Sequence, residues 1–264
     1  MSQALPVKTK RWWWLLLASF IVWLVVLAPA ALFDWAMRSA PNTALRFASE
    51  SGTIWTGRGR INIASDTSPV VIPIGWRFDP LSLLRLRVGF FVTANAPALA
   101  GTTHIGWRFG EVELRDTMIE MDARLLSMLH AAVALFAPSG KIRLTQSADE
   151  RLNMRPASNE KEAWRVDGSI GLTADQLALA GAFNTPASNY ELKLLGDGAA
   201  INVTILRSSG SLKLEGAGTL LLAAPRRFTF SGFATVAGDA PAALKQLGPL
   251  MADGRQRIEI NTAW

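Results

Sequence analysis

Few residues in this chain of 264 are of a type that performs chemistry, and their spacing does not assemble them. Cysteine is absent, which excludes a thiolate nucleophile, a thiolate metal site and any disulfide. The two histidines, His104 and His130, have no His-x-x-x-His spacing and no adjacent second ligand, so no metal site is expected. Asp116 and Glu120 stand four apart, but the pattern around them puts them across a strand end as solvated charges. No Gly-x-Ser-x-Gly, Gly-x-x-x-x-Gly-Lys or Gly-x-Gly-x-x-Gly occurs. Gly57-Arg58-Gly59-Arg60 is glycine-rich, yet no helical pattern follows to supply the helix N-terminus on which a phosphate would sit. Asn202-Val203-Thr204 fits a glycosylation acceptor, a pattern too short to carry weight. The expectation is a non-enzymatic protein with no catalytic residue, no cofactor and no metal.

Charge narrows the partners. Taking Lys8, Lys10 and Arg11 from the 27 Lys and Arg leaves 24 against 21 acidic residues, and these 24 include only pairs such as Arg58/Arg60, Arg85/Arg87 and Arg226/Arg227. A nucleic-acid surface needs a denser basic stripe, so no nucleic acid is expected.

The elements that position the rest begin with Trp12 to Phe33, 22 residues without a charge. A helix rises about 1.5 Å per residue, so this segment matches the ~30 Å hydrocarbon core of a bilayer. Lys8, Lys10 and Arg11 precede it and Asp34 follows, which keeps the N-terminus cytoplasmic and exports the remainder. Trp12, Trp13, Trp14 and Trp35 stand at the two ends, where indoles favour headgroups. The apolar stretch exceeds the roughly 7–15 residues of a cleaved signal, although Ala28-Pro29-Ala30 resembles a cleavage site. The expected division is a cytoplasmic tail at 1–11, a transmembrane helix at 12–33, a connector at 34–44 and a β-rich domain at 45–264.

Beyond the connector, short runs rich in Val, Ile and Thr alternate with turn residues, the pattern of half-buried antiparallel strands. Ile201, Val203 and Ile205 share a face, and Leu212 and Leu214 alternate with Lys213 and Glu215. Phe228, Phe230 and Phe233 are expected near one face, with a bulge at Gly232. Met121–Phe136 and Ala240–Met251 read as the two short helices of the domain. The fold class is therefore mainly β, with one antiparallel domain built as an open curved sheet or a sandwich. Gly75-Trp76-Arg77-Phe78 recurs as Gly106-Trp107-Arg108-Phe109; cross-strand packing explains the echo, and duplicated hairpins are the alternative.

Ser51-Gly52-Thr53-Ile54-Trp55-Thr56-Gly57-Arg58, soon after a membrane helix, resembles protein N of the bacterial type II secretion system. Trp76-Arg77-Phe78-Asp79-Pro80-Leu81-Ser82-Leu83-Leu84 resembles the family's Trp…Pro…Leu-Leu segment. Leu244, Leu247-Gly248 and Asp253-Gly254-Arg255 resemble its closing pattern. Thr56 stands where Ser is common and Arg60 adds a basic residue. The resemblance implies a bacterial inner-membrane protein with a periplasmic domain, an accessory role in export of folded proteins, and other secretion subunits and membrane lipid as partners. Its motif residues, Gly52, Thr53, Trp55, Gly57, Trp76 and Pro80, are expected to shape the fold or an interaction surface. A second reading, a periplasmic lipid-handling module of the AsmA type with an apolar groove, follows from many apolar strands with few helices to cover them.

Overall fold

The computed structural model describes residues 10–32, 45–63, 70–129, 131–134, 137–157, 163–180, 185–236 and 248–263. The connector 34–44, Trp35, His130, Phe136, Leu244, Leu247 and most of the expected helix Ala240–Met251 lie outside the described residues.

The N-terminal helix α1 runs Lys10–Val26, 17 residues, and so stops seven residues before Phe33. Pro29 explains the early end. Its ring disfavours helical backbone in the residue before it, and it has no amide hydrogen to give a helix. Among the described residues no helix is long and apolar enough to cross a membrane.

Among the described residues fourteen strands follow, all antiparallel and all in one sheet. They are β1 (Leu45–Gly52), β2 (Thr56–Ile63), β3 (Val70–Asp79), β4 (Val88–Ala96), β5 (Leu99–Arg108), β6 (Glu111–Asp122) and β7 (Pro138–Thr145). The second half comprises β8 (Leu152–Arg155), β9 (Arg165–Leu179), β10 (Thr185–Asp197), β11 (Ala200–Gly210), β12 (Leu212–Leu221), β13 (Arg227–Val236) and β14 (Gln256–Ala263). Spatial order follows chain order, except that β7 and β8 share one lane between β6 and β9. Among the described residues β1 and β14 do not pair with each other, so the sheet is open and single, not a sandwich.

One face carries the core. Ile63, Ile72 and Ala96 meet Leu125, and Ala123, Ile142, Ala174 and Tyr190 form the next cluster. Leu212, Ala234 and Ile258 form the third. Met121 touches the first two clusters and Leu214 the last two, which makes the apolar stripe continuous across the sheet. The alternation at Leu212 and Leu214 therefore reads as expected. Phe233 does not: it pairs with Glu215 and Arg257 in unbroken ladders without a bulge at Gly232. Strand parity then puts it on the face opposite Phe228 and Phe230, where the Arg255 guanidinium lies 4.7 Å over its ring.

The helix expected over Met121–Phe136 is shorter. Met121 and Asp122 complete β6, and among the described residues of this span Arg124–Leu129 (α2) and Ala131–Ala134 (α3) are helical. Asp122 Oδ1 accepts from the Arg124 N–H at 2.9 Å, which fixes the turn before α2. Asp116 and Glu120 both lie inside β6 instead of across its end. Asp116 has φ 48° beside a register shift opposite Thr102 and His104, and Glu120 binds Lys141 at 2.6 Å and Arg143 at 3.1 Å. The two expected strands 163–172 and 176–180 form one, β9, bulged beside Gln176 at φ 51°. The two Gly-Trp-Arg-Phe copies stand at different heights, since Trp76 faces Val92 and Trp107 faces Val88, so they do not occupy equivalent positions of repeated hairpins.

The break between β7 and β8 is bridged by side chains. Gln146 Nε2 donates to the Leu114 and Ser169 carbonyls across the lane. Glu150 accepts from Ser169 Oγ at 2.7 Å and from the Ser147 N–H at 3.2 Å, with Lys193 Nζ 3.2 Å away. The Ser169 bond, then the Ser147 bond, holds its carboxyl below the usual carboxylate range. A lowered folded pKa stabilises the native state above the unfolded value, and that contribution vanishes as pH falls through the folded pKa. Glu150→Gln is expected to cost about 1 kcal/mol at neutral pH, a few degrees in Tm. Thermal melts of the detergent-solubilised chain should show the gap from wild type closing below about pH 4; a gap independent of pH would contradict this role.

Candidate functional site at the junction of helix and sheet

The motif residues gather where α1 meets the sheet. Past Leu27 the chain becomes extended, and Pro29 forms an antiparallel bridge with Thr53 in the β1–β2 turn. The Ala30 N–H donates to the Gly52 carbonyl at 3.2 Å, and the Ile54 N–H donates to the Ala28 carbonyl at 3.0 Å. Ala28 and Ala30 are buried at 7% and 3% exposure, so the segment that resembles a cleavage site is folded into the junction.

Each motif residue has a steric or hydrogen-bonding task here. Gly52 sits at φ +99°, and a Cβ there would lie 2.3 Å from the Thr56 carbonyl oxygen. Only glycine fits such backbone. Thr53 Oγ1 accepts from the Trp55 and Thr56 N–H groups, each at 3.2 Å, and the Thr53 N–H donates to the Thr56 carbonyl at 2.9 Å. Trp76, buried on β3, points its indole Nε1–H at the Thr53 and Ile54 carbonyls, 3.2 Å from each. A Cβ on Gly57 would meet the Trp76 ring at 2.4 Å, so the glycine leaves the indole its place. Trp55 packs edge-on against Phe78 at 4.8 Å, and its carbonyl accepts from the Phe78 N–H.

Pro80 stands at the head of the connection from β3 to β4. It opens the 3-10 turn Pro80–Arg85, with Asp79 as the cap accepting from the Leu81 N–H at 3.1 Å. Proline suits this first position because its missing N–H would be unpaired in any case. Ser82 Oγ lies 2.6 Å from the Asp79 carbonyl and 3.0 Å from the Arg87 carbonyl and accepts from the Gly89 N–H, tying both ends of the turn together. Gly57-Arg58-Gly59-Arg60 forms strand β2, where Gly59 leaves room for the Phe47 ring.

Two polar arrangements were hidden by sequence distance. His104, buried on β5, places Nε2 3.1 Å from Asp79 Oδ2, which braces the 3-10 turn from the neighbouring strands. Glu113, 2% exposed on β6, binds Arg87 and Arg115, the latter at 3.0 Å, with Arg151 at 3.8 Å. A carboxylate removed from water this far needs its cationic partners. Alternation in β6 groups Glu113 with Glu111 and Arg115, opposite Val112 and Leu114, so nothing local announces its burial or the arginines that reach it from the β3–β4 connection and the β7–β8 loop. Asp253, Gly254 and Arg255 make a turn before β14, with Gly254 at φ +78° and Arg255 Nε 2.6 Å from Asp253 Oδ2. Among the described residues no group of three or more acidic, His or Cys side chains could hold a metal.

The packing around Gly57 and Gly52 is testable. Gly57→Ala and Gly52→Ala should each cost about 1–3 kcal/mol through overpacking or strained backbone. Arg58→Ala, exposed on β2 next to Gly57, should stay within about 0.5 kcal/mol of wild type. Thermal unfolding of the full chain in detergent distinguishes these outcomes, and equal melting points for all three variants would remove the steric account.

A family model for protein N of the type II secretion system matches residues 43–259. No curated protein and no solved structure shows a significant match to the chain. The matched span covers β1 through β13 and the first half of β14, and so includes every motif residue of the junction. The chain therefore belongs to the type II secretion system protein N family, a component family of that protein-transport machine.

Proposed function

We propose that this chain is a non-enzymatic, membrane-tethered accessory subunit of the type II secretion apparatus, with its β domain in the periplasm of a bacterial cell. Other subunits of the machine and inner-membrane lipid are its partners. The observation that carries the reading is the surface of α1. Trp12, Trp13, Phe20, Trp23 and Val26 are all more than half exposed, and from Trp12 onward the helix carries no charge on any side. A helix with no polar face has no reason to be solvated, and a bilayer is the solvent that suits it. Seventeen residues rise about 26 Å, and a span slightly short of the ~30 Å core is accommodated by local thinning and by anchors at its ends.

The family match supports the secretion role and the partnership with other subunits. An AsmA-type lipid-handling role has no comparable support. Contact with other subunits falls naturally to the sheet margins: among the described residues β1 and β14 each have one neighbouring strand, and an unpaired strand edge accepts an added strand. Deleting the gene in its native host should reduce the amount of type II exoproteins in the medium, and a plasmid copy of the full chain should restore it. Alkaline phosphatase fused after Trp264 should be active, as only a periplasmic fusion is. Undiminished export in the deletion strain would defeat the secretion role, and an inactive but stable fusion would defeat the topology.

A further inference from the structure

The end of the sheet that carries the junction holds most of the exposed aromatic and leucine side chains of the β domain. Outside α1, Trp107, Phe109 and Trp164 are 54%, 84% and 46% exposed, and Leu81, Leu84 and Leu86 are 69%, 84% and 70% exposed. The register puts them at one height. Thr56, next to the junction, pairs with Arg77, so β3 ends there and Leu81–Leu86 cross at that rim. Val88 pairs with Trp107, which brings the β5–β6 tip to the same rim. Arg155 pairs with Arg165 beside it, which adds Trp164. The connections at the opposite end carry the exposed pair Leu250 and Met251 but no aromatic side chain among the described residues.

Two of these residues are held in backbone that their type resists. Leu86 has φ 55° and Phe109 has φ 46°, values at which glycine or asparagine is the ordinary occupant. A turn bathed in water gains nothing from a leucine or phenylalanine in that position. A turn that meets hydrocarbon does. Exposed arginines alternate with the apolar groups: Arg85, Arg108, Arg165 and Arg226 stand at the same end, and the Arg108 guanidinium lies 5.6 Å over the Phe109 ring. Leucine and aromatic tips beside long cations are what the lipid–water boundary selects, with rings among the headgroups and guanidiniums on phosphates.

The place where α1 joins the sheet supplies the partner. The bridge of Pro29 to Thr53 fixes this rim next to the end of α1. We propose that the rim formed by Leu81–Leu86, the Trp107–Phe109 tip and Trp164 rests in the headgroup layer of the membrane that holds α1. Leu84, Leu86 and Phe109 enter the acyl boundary, and the arginines bind phospholipid phosphates. The proposal rests on α1 lying in the bilayer.

The absence of cysteine makes single-site labelling direct. Full-length Ala18→Cys, Leu84→Cys, Phe109→Cys and Ala187→Cys chains carry an environment-sensitive nitrobenzoxadiazole label. Each is reconstituted into phosphatidylethanolamine–phosphatidylglycerol vesicles doped with nitroxide-labelled phospholipid. Position 18 reports α1, positions 84 and 109 report the rim, and position 187 lies at the far end of β10, roughly 30 Å along the strand. The expected result is strong quenching at 18 and several-fold greater quenching at 84 and 109 than at 187. Quenching at 18 with none above the 187 level at 84 and 109 overturns the rim proposal and leaves the anchor standing; so does a blue-shifted but unquenched rim, the signature of a protein covering it. An unquenched label at 18 overturns both.

Discussion

Ala28 to Ala30, paired with Gly52 to Ile54, is the constraint from which the rest of this architecture follows. A membrane helix followed by a free tether leaves its domain to tumble. Here the chain leaves α1, turns extended at Pro29 and is hydrogen-bonded at once to the first hairpin of the sheet. The hairpin turn is held in turn by the Trp76 indole, and the indole keeps its place because position 57 has no side chain. One small cluster thus connects helix direction to sheet direction. The proposed seating of the rim in the headgroup layer depends on this connection, which sets the strands at one angle to α1.

The sheet itself is a long meander in which nearly every contact lies between strands adjacent in the chain. Such a structure has little depth of core, and its stability is spread along three linked clusters on one face. Side chains take over where the ladder is interrupted. Gln146 and Glu150 span the gap between β7 and β8, and Glu113 gathers Arg87 and Arg115 near the rim. Burying Glu113 ties the β3–β4 connection to β6, because losing either partner would strand a charge out of water. His104 with Asp79 does the same from β5. The rim is therefore braced from beneath by polar and ionic groups while its apolar tips stay exposed.

Much of this was legible in residue order. Alternation at Leu212 and Leu214 and the glycine-separated runs specify antiparallel strands, and the Gly-Thr-Ile-Trp-Thr-Gly stretch names the hairpin that matters. What failed has identifiable causes. Helical spacing at Leu125, Leu126 and Leu129 does not reach back to Met121, where strand pairing with Leu99 and Ile142 overrides it. Phe233 shares its residue type with Phe228 and Phe230 but not their face, because without a bulge at Gly232 parity puts it on the other side. The uncharged run from Trp12 to Phe33 overstated α1, because Pro29 ends the helix regardless of hydropathy. The pairs His104–Asp79 and Glu113–Arg87 join residues about 25 apart, and no local pattern encodes which strand will lie beside which. The junction pairing was invisible for the same reason: Ala28-Pro29-Ala30 reads as a processing signal until its partner strand is seen.

The most direct test of the account asks whether Pro29 lies against Thr53 in the assembled protein. Opposed residues of this kind bring their Cα atoms to about 4.5 Å, inside the range a disulfide spans. In a chain without cysteine, Pro29→Cys with Thr53→Cys creates a single candidate bond, and Pro29→Cys with Ala187→Cys is the distant control. In membranes treated with a mild oxidant, the first pair should close nearly completely within each molecule, read by the loss of two thiols on mass analysis, while the control pair stays reduced. Equal, low cross-linking of both pairs would mean that helix and sheet are joined loosely, and the fixed rim, with everything inferred from its position, would be withdrawn.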